Sequence, residues 1–446
     1  MNNWIKYSAQ WLLATCLIMV NPLANATPDI QQWQTSNGAR VYFVNAPELP
    51  MVDLRIIFDA AGARDGKLPG LALLTNGLLE EGAGKLNADQ IADRFAAVGA
   101  NFGASSHRDM SVISVRSLTQ TELLERATST LATVVTQPTF PQKALDRERN
   151  RLLIALQSKK QSPDALTSDA FFQSVYGDHP YANDASGNET SVKQIKRQDL
   201  LNHYKRYYVG KNAIIAIVGA VDRQQAEALA ERVIGKLPAG EAAPAIPEVA
   251  ALTKSQLVKQ PFPSSQTHIQ VGQPALSRND PDYFALHVGN YILGGGGFVS
   301  RLTAEIREKR GLSYSTFSYF APMRQSGPFI MGLQTRNDQA DEALKLLNET
   351  LKEFINNGPT ADELKAATQN ITGGFALGLD SNAKIIDNIA AIGFYQLPLD
   401  YLDSYTSKVD AVTIEQIRDA FKRRLQPDNM VTIMVGGSSD TAAQQE

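Results

Sequence analysis

The segment from Ile195 to Gly219 recurs, without a gap, as Val412 to Gly436. Tyr204 falls on Phe421, Lys205-Arg206 on Lys422-Arg423, Asn212 on Asn429 and Val218-Gly219 on Val435-Gly436, an offset of 217 residues in a chain of 446. Solenoid repeats have periods of about 20–50 residues, so a period near half the chain length means a duplicated domain. Each copy is long enough to bury a core of its own. The junction is expected where Pro238, Pro244 and Pro247 interrupt helical and strand periodicity. The resulting division is an N-terminal domain over 27–237, a linker over 238–252 and a C-terminal domain over 253–446.

Within the repeat unit a helical pattern is followed by a buried strand. Upstream, Val41–Val44 and Leu54–Phe58 read as strands, and Ser111–Leu118 alternates in the same way. Leu71–Glu81, Ala88–Val98 and Leu123–Thr136 have helical spacing. Hairpin-like pairings mixed with helices predict an α+β fold in which helices cover a largely antiparallel sheet. A hydrophobic content of 43% with 20% charged residues fits ordinary globular layers. The formal net charge of -3, with no basic stripe, gives no footprint for nucleic acid.

Residues 1–26 have a different character. Lys6 lies in a short polar start, an apolar run extends from Trp11 to Val20, and Ala24-Asn25-Ala26 forms a small-residue cleavage site. This is the pattern of a secretory signal cleaved after Ala26. A membrane span needs about 20 apolar residues, and this run ends well short of that at Asn21-Pro22. A lipid anchor on Cys16 fits poorly, since Thr15 precedes it and apolar residues follow. Removal of Cys16 leaves a mature chain without cysteine, hence without disulfides or thiol chemistry. A bacterial periplasm is the expected compartment.

The histidines are His107, His179, His203, His268 and His287, and no two are three, four or five residues apart. A helix-borne zinc pair needs ligands at i and i+4, so local helical chelation is excluded. His179, in Gly177-Asp178-His179-Pro180, reads as a turn residue. The run Gly294–Gly297 has no Gly-Lys-Ser/Thr after it, and a joint between helices suits it better than a phosphate cradle. Glu80 and Glu81 are adjacent, so on a helix they do not face each other as a catalytic pair, and a solvated helix end is expected.

Two separated segments carry a resemblance. One is Ala61-Gly62-Ala63-Arg64-Asp65 followed by Gly70-Leu71-Ala72-Leu73-Leu74-Thr75-Asn76-Gly77-Leu78-Leu79. The other runs from Gly294–Gly297 through Ser300-Arg301-Leu302 to Ile306-Arg307-Glu308-Lys309-Arg310-Gly311-Leu312-Ser313-Tyr314-Ser315. With Tyr176-Gly177-Asp178-His179-Pro180-Tyr181 and the repeat, they resemble the pitrilysin/insulinase-like zinc peptidase family, which includes the mitochondrial processing peptidases. The resemblance covers nearly all of the mature chain.

The departures from that family are specific. Active members carry His-x-x-Glu-His directly after the Gly-Leu-Ala, and those positions here hold Leu73, Asn76 and Gly77. Leucine and glycine cannot ligate zinc, and a neutral amide cannot take a proton from water. The third ligand, a glutamate on the helix after Arg147-Glu148-Arg149, aligns with Ala155. The resemblance therefore implies that this chain binds no zinc of its own. It also implies a role for Arg307 and Tyr314, because an arginine and a tyrosine at this spacing hydrogen-bond the substrate carbonyl in the family. Such donors stabilise an oxyanion when held in place before charge develops. Taken alone, Arg307 reads equally as part of a solvated face with Glu305, Glu308, Lys309 and Arg310.

Family members assemble as a clamshell of four homologous domains, in one long chain or two half-length chains. This chain would supply two of them, half of the clamshell. The implied partners are a homologous subunit that carries the zinc and an extended peptide bound along a sheet edge. The alternative is a catalytically inert peptide-binding or scaffolding protein of the same fold. A stand-alone hydrolase using another metal lacks a visible ligand cluster.

Overall fold

The computed structural model describes residues 27–437, so the expected signal segment 1–26 lies outside the described residues. Strands β1 (Gln31–Gln34), β2 (Arg40–Asn45), β3 (Met51–Phe58), β4 (Asn101–Ser106), β5 (Ser111–Leu118) and β6 (Ala213–Gly219) form one sheet in the order β1-β2-β6-β3-β5-β4. A second sheet contains β7 (Gln256–Gln260), β8 (Gln266–Leu276), β9 (Thr316–Phe320), β10 (Gly327–Arg336) and β11 (Val431–Val435) in the order β9-β10-β8-β11-β7. In the first sheet only β2 with β6 is parallel, and in the second only β11 with β7. The orders β2-β6-β3-β5-β4 and β7-β11-β8-β10-β9 thus superimpose strand for strand, with β1 as the addition. The fold is α+β, as the alternation of helical and strand periods predicts.

The repeat extends to single backbone positions. Gly219 ends β6 and Gly436 directly follows β11, at φ of 154° and 155°. A Cβ on Gly219 would stand 2.3 Å from Met51 O, and one on Gly436 2.5 Å from Thr267 Cα, so each glycine permits the neighbouring strand to approach. The labelled helices are α1 (Leu71–Gly77), α2 (Thr121–Thr136), α3 (Gln142–Lys159), α4 (Pro163–Tyr176), α5 (Arg197–Tyr207), α6 (Arg223–Ile234), α7 (Tyr283–Asn290), α8 (Ala340–Asn357), α9 (Asn382–Tyr395) and α10 (Ile414–Arg424). The duplicated helices α5 and α10 start alike: Asp199 accepts from Lys196 N, and Gln416 from Thr413 N.

β6, Ala-Ile-Ile-Ala-Ile-Val-Gly, is buried along its whole length, so both of its faces need a cover. Ala213, Ile215 and Ile217 face a core built with α2, α5 and α6. Ile214, Ala216 and Val218 face the other way, onto Ile386, Ile389, Ala390 and Phe394 of α9. The second sheet repeats this arrangement in reverse. Ile330, Val431, Ile433 and Val435 pack against Phe171 and Val175 of α4. Each half therefore lends a helix to the other half's sheet.

A buried polar hub fixes the two halves together. The Asp109 carboxylate accepts from Tyr181 Oη at 2.6 Å and Arg324 N at 2.7 Å, while Tyr181 Oη itself accepts from Gln325 N at 3.1 Å. Tyr395, at the end of α9, donates to the same carboxylate at 3.3 Å. Asp59, bidentate with Arg64 at 2.7 and 2.8 Å, lies 3.6 Å from Arg324.

Candidate functional site

Asp65 fixes the start of α1, its carboxylate accepting from Gly70 N at 2.8 Å and Ala72 N at 2.7 Å. Burial pushes its pKa up to about 7 against the effect of those two bonds. Gly70 precedes the helix at φ 97°, a conformation that favours glycine. One turn later, Leu73 and Gly77 stand at i and i+4 on one face. Across from them Ala155 projects from α3, and the three line a cavity of about 300 Å³ together with Leu74, Leu78 and Leu152. The positions that the resemblance assigns to ligands are thus brought together, around an apolar space.

The donor set does not fit zinc. The cavity's polar residues are Glu148 and Arg151, and they bond each other at 3.1 Å. Glu148 also accepts from Arg147 at 2.9 Å. Among the described residues no group of three His, Cys, Asp or Glu side chains is placed to hold a metal. Asn76 is absent from the cavity wall. Its amide donates to Ser105 O at 2.8 Å and Val112 O at 3.0 Å and accepts from Tyr208 Oη at 3.0 Å. The residue that the resemblance aligns with the base is a fastener between α1, the β4–β5 hairpin and Tyr208.

Glu80 and Glu81 are half-buried rather than solvated. Glu81 pairs with Arg147. The Glu80 carboxyl is pushed up in pKa by burial and then by Glu81 and Glu148. Four histidines have hydrogen-bond partners within the chain: His107 meets Ser105 Oγ (3.5 Å), His179 caps the turn at Tyr181 N (3.1 Å), His203 bonds Ala60 O (2.9 Å) and His287 meets Tyr405 Oη (3.0 Å).

The second motif lies on the other half. Tyr291–Gly295 and Thr303–Glu308 are wide, π-type helical turns joined by a short turn at Gly297–Val299, so the glycine run is a joint between helical segments. Leu302 and Ile306 anchor the second of these turns in the core. On its outer side Glu305 takes Arg310 at 2.9 Å and also Lys309. Arg307 has no carboxylate partner among the described residues. Its Nη1 donates to Tyr314 O at 3.2 Å, and its guanidinium lies 4.7 Å from the centre of the Phe298 ring. Tyr314 is 84% exposed, and Phe298 and Val299 are exposed as well. Arginine and tyrosine are linked through the backbone, with the phenol presented to solvent.

Sequence reasoning missed the Asp109–Tyr181–Arg324 hub. The Tyr-Gly-Asp-His-Pro-Tyr segment signalled Tyr181, but nothing local in the sequence pairs it with a residue on the far half.

A duplicated α+β half-clamshell in which the positions that the resemblance assigns to zinc ligands hold Leu73, Gly77 and Ala155, and in which half-buried Arg307 is linked to exposed Tyr314, has the build of a zinc-peptidase-like chain of the degenerate kind. The profile "Insulinase (Peptidase family M16)" matches residues 40–188, and "Peptidase M16 inactive domain" matches 194–371. The chain belongs to the insulinase-like peptidase family M16. The crystal structure of a peptidase M16 inactive domain from Pseudomonas fluorescens is similar at a TM-score of 0.89 and 41% identity, covering 92% of this chain and 98% of that one. The uncharacterized zinc protease SCO5738 of Streptomyces coelicolor is 26% identical over 373 residues, 81% of this chain and 80% of that protein. The non-peptidase homolog YmxG of Helicobacter pylori is 25% identical over 394 residues, 87% of this chain and 89% of that protein. The periplasmic protease PqqL from Escherichia coli shares the fold at a TM-score of 0.75 and 16% identity; the match covers 94% of this chain and 48% of PqqL.

Proposed function

We propose that this chain is the non-zinc-binding subunit of a periplasmic heterodimeric metallopeptidase, supplying Arg307 and Tyr314 to peptide hydrolysis at a partner's zinc. The observation that carries the reading is that the positions assigned to zinc ligands are apolar while Tyr314 is exposed and half-buried Arg307, bonded to its backbone, has no acidic partner among the described residues. An oxyanion donor need only reach the reacting carbonyl, so it remains useful when zinc and base sit on another polypeptide. The doubled length of PqqL supports assembly from two such halves. The peptide would lie extended along a sheet edge, its main chain completing a ladder.

The test is reconstitution with a homologous zinc-bearing subunit. Alone, the mature chain is expected to hold no stoichiometric zinc by metal mass spectrometry and to cleave no peptide. Mixed with the partner it should create activity that neither has alone. Arg307→Ala or Tyr314→Phe should lower turnover by about 10²–10³ with the heterodimer intact by size-exclusion chromatography. Arg307→Lys keeps the charge but not the forked donor, and should also be impaired. Unmodified turnover in assembled variants sinks the trans-catalytic role.

A second reading, an inert peptide-binding or scaffolding protein, is favoured by the apolar lining of the former zinc position and by the non-peptidase name of the Helicobacter relative. It predicts assembly without any dependence of rate on Arg307. Export rests on residues 1–26: N-terminal sequencing of periplasmic material should begin at Thr27, and a full-length chain retained in the cytoplasm would contradict it.

A further inference from the structure

Among the described residues the second sheet lacks a strand that the first sheet has. In the first, β1 pairs antiparallel with β2, placing Trp33 opposite Val41 and Gln31 opposite Phe43. Just past the strand ends Thr35 N donates to Ala39 O at 2.9 Å, so the bonded pairs run through the odd-numbered residues of β2. In the second sheet β7 takes the place of β2. The 217-residue offset carries Ile215, the partner of Val41, onto Thr432, the partner of Leu257. Leu257 is thus the counterpart of Val41, and Lys259 that of Phe43. Among the described residues β7 pairs only with β11, and its other edge is open.

The backbone at that edge is set as it is in β2. Gln256 N donates to Met430 O at 3.3 Å and Gln260 O accepts from Gly436 N at 3.2 Å, so the even-numbered residues of β7 turn their backbone groups toward β11. Those of Leu257 and Lys259 point to the open edge, as those of Val41 and Phe43 point to β1. A row of unpaired N–H and C=O groups is a template for a further strand. The side chains differ as a missing strand requires. Val41 is buried, and Trp33 packs on the core beside it, its ring 6.2 Å from that of Phe43. Leu257 is 56% exposed and borders a cavity of about 330 Å³ lined by Val271, Leu344, Met430 and Thr432. The charges nearby are already paired, Lys259 with Asp341 at 3.2 Å and Lys352 with Asp428 at 2.7 Å. An uncharged, apolar side chain suits the place opposite Leu257.

We infer that β7 is a docking edge for an extended segment of a partner polypeptide, which pairs antiparallel with it as β1 does with β2 and sets a large apolar side chain opposite Leu257. Directly opposed residues share a face of the sheet, so that side chain lies on the side of the cavity and of Leu344. Main-chain bonds supply affinity in this mode of recognition, and the apolar side chain supplies selectivity. β7 and β9 are opposite edges of the second sheet, and Tyr314 directly precedes β9 in the chain. A segment on β7 is docked apart from the Arg307–Tyr314 unit, so the site stands whether or not the chain assists catalysis.

The test is fluorescence anisotropy of a labelled peptide, Asp-Ile-Gln-Gln-Trp-Gln-Thr, titrated with the mature chain. Its sequence is that of residues 29–35, the strand that β2 accepts. Saturable binding is expected. Trp33→Ala within the peptide should weaken it by at least about tenfold, the loss that follows from one buried aromatic side chain. Leu257→Lys in the chain should weaken it to a similar degree. Lys259→Pro removes an N–H that points away from β11, and should abolish binding while the ladder to β11 stays whole. Each variant's thermal unfolding reports its folding. If Lys259→Pro does not fold, Leu257→Lys, at an exposed position, decides. Binding that ignores both substitutions places the peptide elsewhere, on β2 by exchange with β1 for instance, and overturns the assignment. So does absence of saturable binding, or equal affinity for the Trp and Ala peptides. Sedimentation velocity of the mature chain alone covers the remaining occupant: a dimer that Leu257→Lys dissociates gives the edge to a second copy and overturns the partner assignment.

Discussion

Asn76 stands where the resemblance places a general base, and in this chain both of its amide N–H groups and its Oδ1 are held by the fold, on Ser105, Val112 and Tyr208. A buried polar group stripped of its partner costs roughly 1–3 kcal/mol. Asn76→Leu removes one partner from each of two carbonyls and a phenol, and is expected to lower unfolding free energy by about 1–3 kcal/mol in urea denaturation. An unchanged midpoint would show that those groups find water instead. His203 makes a different prediction. In the unfolded chain it takes up a proton as pH falls through 6.5, whereas in the fold, where burial outweighs its bond to Ala60, it stays neutral down to about 4. Its contribution is therefore complete above pH 6.5 and is lost as pH falls from there toward 4, by roughly 3 kcal/mol at most. His203→Gln keeps a donor near Ala60 O and cannot titrate. The variant's stability should decline less than the parent's between pH 6.5 and 4, and parallel declines would contradict the assignment.

At the scale of elements, the exchange of α4 and α9 makes each half depend on the other. Gly393 on α9 allows the approach: a Cβ there would stand 2.6 Å from the Tyr42 ring and 2.9 Å from Ile214 Cγ2. Gly393→Val has to push the helix off the sheet. Overpacking of this kind costs about 1–3 kcal/mol. Hydrogen exchange should show lost protection in β2 and β6 along with α9, because the outer residues Tyr42, Ile214, Ala216 and Val218 lose their cover. Loss confined to α9 itself would mean that the sheet does not need the exchanged helix. The expected boundary at 238–252 remains our division of the linear sequence, since α4 lies before it in the chain and on the second sheet in space.

For the whole molecule, the Asp109 hub and the two exchanged helices join the halves into one body. The Arg307–Tyr314 unit and the apolar cavity at Leu73, Gly77 and Ala155 sit on opposite halves of the duplicated chain. In the proposed heterodimer each faces a counterpart: the pair meets the partner's zinc half, and the degenerate half meets the partner's own second half. The reconstitution experiment tests both at once, because a chain that fails to assemble cannot rescue turnover.

The sequence by itself determined the duplication and the α+β class, and it shows which residues stand where the resemblance expects zinc ligands. These are local or periodic properties: an offset of 217 residues, the alternation of Ser111–Leu118, and the identities of Leu73, Asn76, Gly77 and Ala155 are all legible without coordinates. Tertiary structure alone decided where Asn76 points, which sheet α4 and α9 cover, and that Asp109 is bonded by residues more than 200 positions away. An apolar helix face records only that it will be buried. Which of two similar sheets buries it depends on long-range closure, since the duplication gives both sheets nearly the same surface and local periodicity cannot choose between them.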